Sequence, residues 1–206
     1  MARTIDEKKR LDLAYQAFDV VARKGLFKTN LTEVARELDM KRTTLYWYFK
    51  SISQIIIKVL RDVDLKEKEY LDKVTEGVDD TISLLTAHML GSYDFFKEKE
   101  LYLTLITQLH GENLEPEIQE YLDDYDKSVL EEREELQQLL QEGVRQGELR
   151  PHNSEHIADA CRAYVTGLLL HGLEVPLDGR VLLELFVTNI LDPLRTEPIK
   201  SQGGRS

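Results

Sequence analysis

The chain has 206 residues, of which 42% are hydrophobic and 32% charged, and its formal net charge is -11. A chain of this length buries a core without disulfides or metals, and its single cysteine, Cys161, excludes an internal disulfide framework. The N-terminal residues are charged, and no apolar stretch is long enough to span a bilayer. We therefore expect a soluble, cytoplasmic protein with no membrane partner.

The charge is distributed unevenly along the chain. Residues 1 to 61 contain 13 Lys and Arg against 7 Asp and Glu, a net +6, whereas residues 62 to 206 contain 14 against 31, a net -17. A basic N-terminal region followed by an acidic remainder favours contact with nucleic acid at one end of the molecule. Charge alone leaves open the alternative of two solvated surfaces that differ by chance.

Apolar residues recur at helical spacing along nearly the whole chain, and no stretch alternates with the period of two that is typical of a strand. The predicted fold class is all-α, with about nine helices. An apolar face over residues 11 to 21 marks the first helix, which ends at Gly25. Asn30 and Glu33 match a capping box that opens a short second helix, Leu31 to Leu38.

A break at Asp39 separates this helix from a short third one, Arg42 to Phe49. Ser51 or Ser53 caps the fourth helix, which continues to about residue 74. The later helices are marked by apolar faces and by turn or capping residues: the fifth over 82–96, the sixth over roughly 100–110, the seventh from Pro116 to the 143–147 region, the eighth with Ser154 as cap, and the ninth from Asp178 to before Pro193.

The second and third helices are too short to be stable alone, so the flanking helices must hold them, as in a helix-turn-helix. Four consecutive aromatic residues, 46 to 49, cannot all be buried in one small core, because consecutive helical positions cover more than one face. Exposed aromatic residues beside cations suit a DNA major groove. The positions predicted to face the shared core are Leu31, Val34, Ala35, Leu38, Leu45 and Phe49, and those predicted to point outward are Arg42, Thr43, Tyr46 and Trp47.

Residues 11 to 60 resemble the N-terminal DNA-binding domain of the TetR (tetracycline-repressor-like) family. The resemblance lies in the Ala14 to Phe18 stripe with Gly25, in Thr29, in Val34-Ala35 and above all in the run TLYWYFK at 44–50. Three positions depart from the family pattern: Asp39 replaces a turn glycine, Asn30 replaces a threonine and Ile52 replaces a charged residue. Asp39 is expected to adopt the left-handed backbone that the turn requires.

The resemblance implies a ligand-responsive transcriptional regulator, most often a repressor, that binds a palindromic operator as a homodimer and is released by a small molecule. It implies phosphate contacts from Thr44, Tyr48 and Lys50 and base contacts from the outward-facing residues of the third helix. The full set of residues predicted to contact DNA is Thr32, Lys41, Arg42, Thr43, Thr44, Tyr46, Trp47, Tyr48 and Lys50.

The eighth and ninth helices are apolar around most of their circumference. One apolar face serves the core, and the surplus predicts a partner, as in a four-helix bundle formed by two subunits about a two-fold axis. A buried helix pair in a monomer is the alternative. The predicted interface residues are Ala160, Ala163, Gly167, Leu170, Leu183, Phe186, Val187 and Ile190.

The resemblance also implies an effector pocket enclosed by the fourth to seventh helices. Its candidate lining residues share soft or aromatic side chains with little formal charge, which favours an apolar or aromatic effector. A purely structural role in the core is the alternative for each residue taken singly. The candidates are His88, Met89, Tyr93, Phe96, Tyr102, His110, Tyr121 and Tyr125.

These assignments predict a helix-turn-helix domain over residues 1–50, a linking helix over 51–74, an effector and dimerisation domain over 75–195, and a disordered tail over 196–206.

Sequence patterns typical of enzymes are weaker than the resemblance to a DNA-binding domain. His152 and His156 match the H-x-x-E-H order of some zinc peptidases, but Pro151 and the predicted cap place His152 outside the helix. The acidic run 123–126 is more typical of a solvated helix face than of a metal-binding cluster.

We therefore expect no enzymatic activity, metal or cofactor. The alternative function is an all-helical small-molecule enzyme or carrier whose N-terminal module only resembles a helix-turn-helix.

Overall fold

The computed structural model describes residues 6–109 and 114–196. Over these residues the chain is all-helical, as predicted, with one isolated antiparallel pairing between Leu149 and Arg195. The helices are α1 Glu7–Lys24, α2 Leu31–Glu37, α3 Arg42–Tyr48, α4 Ile52–Thr75, α5 Thr81–Phe96, α6 Glu100–Gln108, α7 Pro116–Arg145, α8 Ser154–Gly172 and α9 Gly179–Phe186. Residues 197–206 of the predicted disordered tail lie outside the described residues.

The chain divides into two compact units. The first consists of residues 1–69 and 98–127, and so contains α1 to α3, most of α4, α6 and the start of α7. The second consists of residues 70–97 and 128–206, and contains α5, α8, α9 and the rest of α7. The functional domain boundaries predicted near residues 50 and 75 remain a prediction.

The helix-turn-helix begins with the predicted capping box. The Asn30 side chain accepts hydrogen bonds from the backbone N–H groups of Thr32 (3.0 Å) and Glu33 (3.1 Å), and the Glu33 carboxylate accepts one from the Asn30 N–H (3.1 Å). The first turn of α2 therefore leaves few backbone donors without a partner.

The turn between α2 and α3 contains Asp39, whose φ of 47° is in the left-handed region. The backbone N–H of Met40 closes the turn by donating to the Ala35 carbonyl oxygen at 2.9 Å. Among the described residues other than glycine, only Asp39 has a positive φ. Its short polar side chain tolerates this backbone better than most, so the expectation from the sequence is confirmed.

Two further helix starts refine the sequence analysis. Ser51 rather than Ser53 caps α4, since its hydroxyl oxygen accepts a hydrogen bond from the Gln54 N–H at 3.1 Å. At α8 the predicted cap was wrong. The Asn153 side chain accepts from the His156 N–H at 3.0 Å, and Ser154 is the first residue of the helix and is buried.

A π-helical turn, Val187–Leu191, follows α9, and a 3-10 turn, Asp192–Leu194, follows that. A π-helical turn holds more residues than an α-helical one, so the buried stripe that includes Leu183 continues at Leu191 rather than at Ile190. Leu183 and Leu191 are both fully buried, while Ile190 is 43% exposed. The turn thereby places Ile190 at the surface.

Each unit has an apolar interior. The side chains of Ala14 and Ile56 are fully buried in the first unit, as are those of Leu140 and Leu183 in the second. Cys161 also lies in the second interior, where burial raises the pKa of its thiol to about 12, so the predicted role as a small core residue is confirmed. No helix among the described residues is long and apolar enough to cross a membrane.

Candidate functional sites

The helix-turn-helix has the apolar core that the sequence predicts. Leu31, Val34 and Ala35 of α2 are buried, as are Leu45 in α3 and Phe49 at its end, and α2 packs against both α1 and α3. Leu38 is only half-buried. This core fixes the two short helices, which could not persist alone.

The opposite side of α3 is available for contact. Arg42 and Thr43 are exposed, Trp47 is 38% exposed and Tyr46 is half-buried. Four more of the residues predicted to contact DNA are exposed: Thr32, Lys41, Thr44 and Lys50.

Tyr48 differs from the other residues predicted to contact DNA. It is only 7% exposed, and its ring packs edge-on against Trp47 with the ring centroids 4.6 Å apart. Because most of its side chain is in the core, its main contribution is to support Trp47. A contact with phosphate could use only the small part of the side chain that remains exposed.

The exposed side of α3 is internally ordered. The Arg42 guanidinium carbon lies 4.9 Å from the centre of the Tyr46 ring, and one of its nitrogens donates to the Tyr46 hydroxyl at 3.3 Å. Just after the end of α3, the Lys50 ammonium donates to the Tyr46 carbonyl oxygen at 2.9 Å. Tyr46 therefore contacts both cations of this face.

Ionic and cation–π contacts brace the helix-turn-helix from α1. The Lys24 ammonium lies 2.6 Å from a Glu37 carboxylate oxygen, which joins the last turns of α1 and α2 and holds the pKa of Glu37 below its usual range. The Arg10 guanidinium lies over the Phe49 ring, 5.5 Å from its centre. Both contacts resist movement of α2 and α3 away from α1.

Polar contacts within the first unit also tie the helix-turn-helix to α6 and α7. The Leu26 N–H, just after α1, donates to the Gln108 side-chain oxygen at 3.1 Å. The buried Ser53 hydroxyl, at the start of α4, donates to the carboxylate of Glu115, just before α7. Sequence reasoning missed Gln108 and Glu115, because their partners are distant in the chain.

A carboxylate lies among tyrosines inside the first unit. The Tyr121 hydroxyl of α7 donates to the Asp64 carboxylate of α4 at 2.7 Å, and the Tyr102 hydroxyl of α6 also bonds to it. Burial raises the pKa of Asp64, although both tyrosine hydrogen bonds act to lower it. Burial, together with the negative charge of Asp64, raises the pKa of both tyrosines, so their hydroxyls remain protonated donors.

The structure places the predicted effector residues in two groups. Tyr102, Tyr121 and Tyr125 belong to the first unit, and the first two bond to Asp64, which sequence reasoning missed. The Tyr121 and Tyr125 rings stack with centroids 6.3 Å apart, and Tyr125 is 41% exposed. One acid among many on the charged α4 gave no sign that it would be half-buried and bonded to tyrosines.

The other described candidates belong to the second unit. Met89 is buried, and His88, Tyr93 and Phe96 are half-buried. Tyr93 borders a cleft of about 580 Å³ that is also lined by Lys97 and by residues 176–180. His110 lies outside the described residues.

An apolar surface covers parts of α8, α9 and the turn that follows. Of the residues predicted for a dimer interface, Ala163, Gly167, Leu170 and Ile190 are exposed, and Ala160, Phe186 and Val187 are half-buried. Two exposed neighbours were missing from the predicted set, namely Val181 at 48% and Leu185 at 52%.

Leu183 requires a correction. It is fully buried within its own unit, so its side chain belongs to the core and offers no surface to a partner. An apolar helix in sequence does not reveal which of its leucines faces inward, whereas the packing of α9 on α5 and α8 does.

The peptidase-like histidines do not share a helix. His152 precedes α8, as predicted, and its Nδ1 lies 2.8 Å from the Arg150 carbonyl oxygen, whereas His156 lies in the first turn of α8. Within residues 6–109 and 114–196, no three His, Cys, Asp or Glu side chains are grouped so that they could hold a metal ion.

Comparison with known proteins agrees with this geometry. Residues 15–59 match the family described as bacterial regulatory proteins, tetR family. The fatty acid metabolism regulator protein of Bacillus subtilis is 21% identical over 144 residues, which are 69% of this chain and 71% of that protein.

Two solved structures share the fold over most of their length. The ketosteroid transcriptional regulator of Mycobacterium tuberculosis has a TM-score of 0.72 at 16% identity, covering 95% of this chain and 98% of that one. A bacterial regulatory protein of the tetR family from Rhodococcus has a TM-score of 0.67 at 18% identity, covering 90% and 95%. The matched segment, residues 15–59, contains α2, α3 and their buried core, so this part of the chain is similar to the tetR family model, and the chain as a whole shares the fold of these two structures.

Proposed function

We propose that this protein is a transcriptional regulator of the tetR type, a cytoplasmic repressor that binds a palindromic operator as a homodimer and releases it when a small-molecule effector binds. The observation that carries the proposal is the exposure of Arg42, Thr43 and Trp47 on one side of α3. The other side of this helix is packed into the core through Leu45 and Phe49. A rigid helix with cations and an aromatic ring on its free side can enter a major groove and contact base edges.

The surface of α8 and α9 supports dimerisation. Leu170, Val181, Leu185 and Ile190 are between 36% and 52% exposed, which is costly for aliphatic side chains unless a partner covers them. Gly167 has open space where a side chain would begin, so another helix could approach closely there. A two-fold dimer presents two copies of α3, and we expect operator half-sites about 34 Å apart or somewhat more.

The polar contacts of the first unit suggest how an effector acts on DNA binding. Asp64, Tyr102 and Tyr121 join α4, α6 and α7. Gln108, the last residue of α6, bonds to Leu26 just after α1, and Glu115, just before α7, bonds to Ser53 in the first turn of α4. An effector that contacts Tyr102, Tyr121 or Tyr125 and shifts α6 or α7 would therefore move the supports of α1 and α4. Such coupling works by shifting the population of protein conformations. Its free energy is typically about 1–3 kcal/mol, which corresponds to a change in operator affinity of about 5- to 150-fold.

Within the second unit, we propose that His88, Met89, Tyr93 and Phe96 are effector contacts. Their aromatic and soft side chains favour an apolar molecule. The names of two relatives refer to fatty acid metabolism and to ketosteroids, which are apolar classes as well. Long-chain fatty acids and ketosteroids are therefore the first probes to use.

The test begins by selecting preferred duplexes from a randomised DNA pool with the full chain. Operator affinity is then titrated with and without each probe, for the unaltered protein, for Tyr121→Phe and for Tyr15→Phe. Tyr15 is a matched control, because its hydroxyl donates to Asp62 at 2.6 Å in the same unit but is not a predicted effector contact.

We expect a palindromic selected sequence, probe-dependent release, and a weaker release in Tyr121→Phe than in Tyr15→Phe. Recovery of no preferred sequence would contradict the proposed operator binding. Equal affinity of every probe for the free and the operator-bound protein would contradict release by that class of effector.

A further inference from the structure

Arg42 and Tyr46 lie one helical turn apart on α3, and Lys50 follows two residues after the helix ends at Tyr48. Side chains four residues apart on a helix lie on the same face, one above the other. Here the contacts are direct, since the Arg42 guanidinium lies over the Tyr46 ring at 4.9 Å and bonds to its hydroxyl at 3.3 Å. The Lys50 ammonium bonds to the Tyr46 carbonyl oxygen at 2.9 Å.

Arg42 needs such a support because of its place in the helix. It is the first residue of α3, and the preceding Lys41 provides no side-chain cap. An arginine at the exposed start of a seven-residue helix would otherwise sample many rotamers. Tyr46 is half-buried and one turn further in, so its ring is held better than the side chain that rests on it.

Reading of a base by arginine depends on orientation. The guanidinium is a planar fork, and it discriminates guanine by donating two parallel hydrogen bonds to O6 and N7. A ring that fixes the plane of this fork before DNA arrives reduces the entropy lost on binding. The energy involved is that of an exposed cation–π contact, which corresponds to about two- to fivefold in affinity.

We infer that Tyr46 is a positioning residue, which sets the DNA sequence preference of the protein by orienting Arg42 rather than by touching a base itself. This inference rests on the proposed operator binding through α3. It assigns to Tyr46 a different role from the direct base contact that the sequence suggested.

The test is a double-mutant cycle on the duplex selected by the unaltered protein. Affinity is measured for all four base pairs at the position where Arg42→Ala relaxes the preference. The variants are Arg42→Ala, Tyr46→Leu, Tyr46→Phe and the double change Arg42→Ala with Tyr46→Leu. Arg36→Ala is the matched control, because Arg36 is an exposed arginine on the neighbouring α2 that is not among the residues predicted to contact DNA.

We expect Arg42→Ala to lower the preference about 5- to 150-fold at one base pair. Tyr46→Leu should lower it about two- to fivefold at that same base pair, and should have no further effect when Arg42 is already absent. Tyr46→Phe keeps the ring and should fall between Tyr46→Leu and the unaltered protein. Arg36→Ala should leave the preference at that base pair unchanged.

Two outcomes overturn the inference: a loss for Tyr46→Leu at a different base pair from Arg42→Ala, or losses that add in the double variant. Either shows that Tyr46 contacts DNA independently. Circular dichroism checks that Tyr46→Leu folds. If it does not fold, Tyr46→Phe still tests the inference. Failure of the unaltered protein to select any sequence would instead contradict operator binding, and so is distinguishable from failure of the positioning role.

Discussion

Two short helices, α3 with seven residues and α9 with eight, both expose large hydrophobic side chains, but the chemistry around those side chains differs. On α3 the exposed apolar group is the Trp47 ring, and Arg42 and Thr43 lie on the same helix. On α9 the exposed groups are the aliphatic Val181 and Leu185. An aromatic ring among cations suits a groove lined by bases and phosphates, whereas aliphatic side chains need another apolar surface.

Exposed apolar area alone therefore does not indicate which kind of partner a helix binds. The charged residues next to that area do indicate it. Arg180 on α9 is already committed, since its guanidinium lies 2.5 Å from the Asp94 carboxylate. Arg42 of α3 and Lys50 just after it both contact Tyr46, and they remain exposed beside Trp47. We therefore assign DNA to α3 and a second copy of the chain to α9.

The largest expected effect tests the assignment of α9. Gly167→Glu and Leu185→Glu each place a charge in the proposed interface, where burying it without a partner is strongly unfavourable. Both should convert a dimer at micromolar protein into a monomer, as measured by sedimentation equilibrium. Neither change should disturb the subunit, because Gly167 faces open space and Leu185 is 52% exposed.

Leu130→Glu is the matched control for this experiment. Leu130 is another leucine at the surface, 57% exposed on α7, outside the proposed interface. If Leu130→Glu dissociates the protein as completely as Leu185→Glu does, the interface lies elsewhere. If the unaltered protein is itself a monomer at micromolar concentration, α9 is not a dimer interface.

The next effect tests the assignment of α3. Arg42→Ala should cost on the order of 1–3 kcal/mol of operator binding and relax the preference at one base pair. Lys50→Ala should weaken binding to all duplexes alike and reduce the slope of log affinity against log salt by about 0.9, the value for one phosphate. Titrations at several salt concentrations measure both, and an equal loss of sequence preference in the two variants would contradict the division of roles.

Local sequence signals predicted much of the fold. The capping box at Asn30, the left-handed Asp39 and the end of α1 at Gly25 each depend on residues within one or two turns, and the structure has all three. The π-helical turn 187–191 could not be predicted in this way. No capping or turn residue in the local sequence marks it, and its effect, the burial of Leu191 in place of Ile190, is visible only in the packed structure.

The sites were predicted unevenly for the same reason. The exposed side of α3 followed from the positions of Leu45 and Phe49, because a helix that buries one face must expose the other. The burial of Leu183 and of Asp64 did not follow from their helices. Both depend on neighbouring helices whose placement the local pattern does not encode.

A smaller effect concerns the support of α3 rather than its surface. Asn30→Ala removes the side chain that accepts from the N–H groups of Thr32 and Glu33, and should lower the free energy of unfolding by about 0.5–2 kcal/mol. Asn30→Asp keeps an acceptor at the same place and should restore most of the loss. Urea denaturation measures both, and equal destabilisation by the two changes would show that the cap does not stabilise α2.

The smallest effect tests how the buried side of the first unit differs from its surface. Two aspartates of α4 each accept a hydrogen bond from a tyrosine hydroxyl, Asp62 from Tyr15 at 2.6 Å and Asp64 from Tyr121 at 2.7 Å. Burial opposes ionisation of Asp62, but bonds from Lys66 and Tyr15 outweigh it and hold its pKa below the ordinary value. At Asp64 burial dominates and raises the pKa.

The two shifts give opposite pH dependences. A raised folded-state pKa means that the folded protein binds more protons than the unfolded chain, so the contribution of Asp64 to stability falls as pH rises from its ordinary value of 3.8 through the raised pKa. The contribution of Asp62 instead grows with pH, from its lowered pKa to the same ordinary value. Relative to the unaltered protein, Asp64→Asn should therefore gain stability as pH rises above 3.8, and Asp62→Asn should lose stability as pH rises up to it. Urea denaturation of the three proteins across this range measures the difference, and parallel pH profiles for the two variants would show that burial does not separate these neighbouring carboxylates.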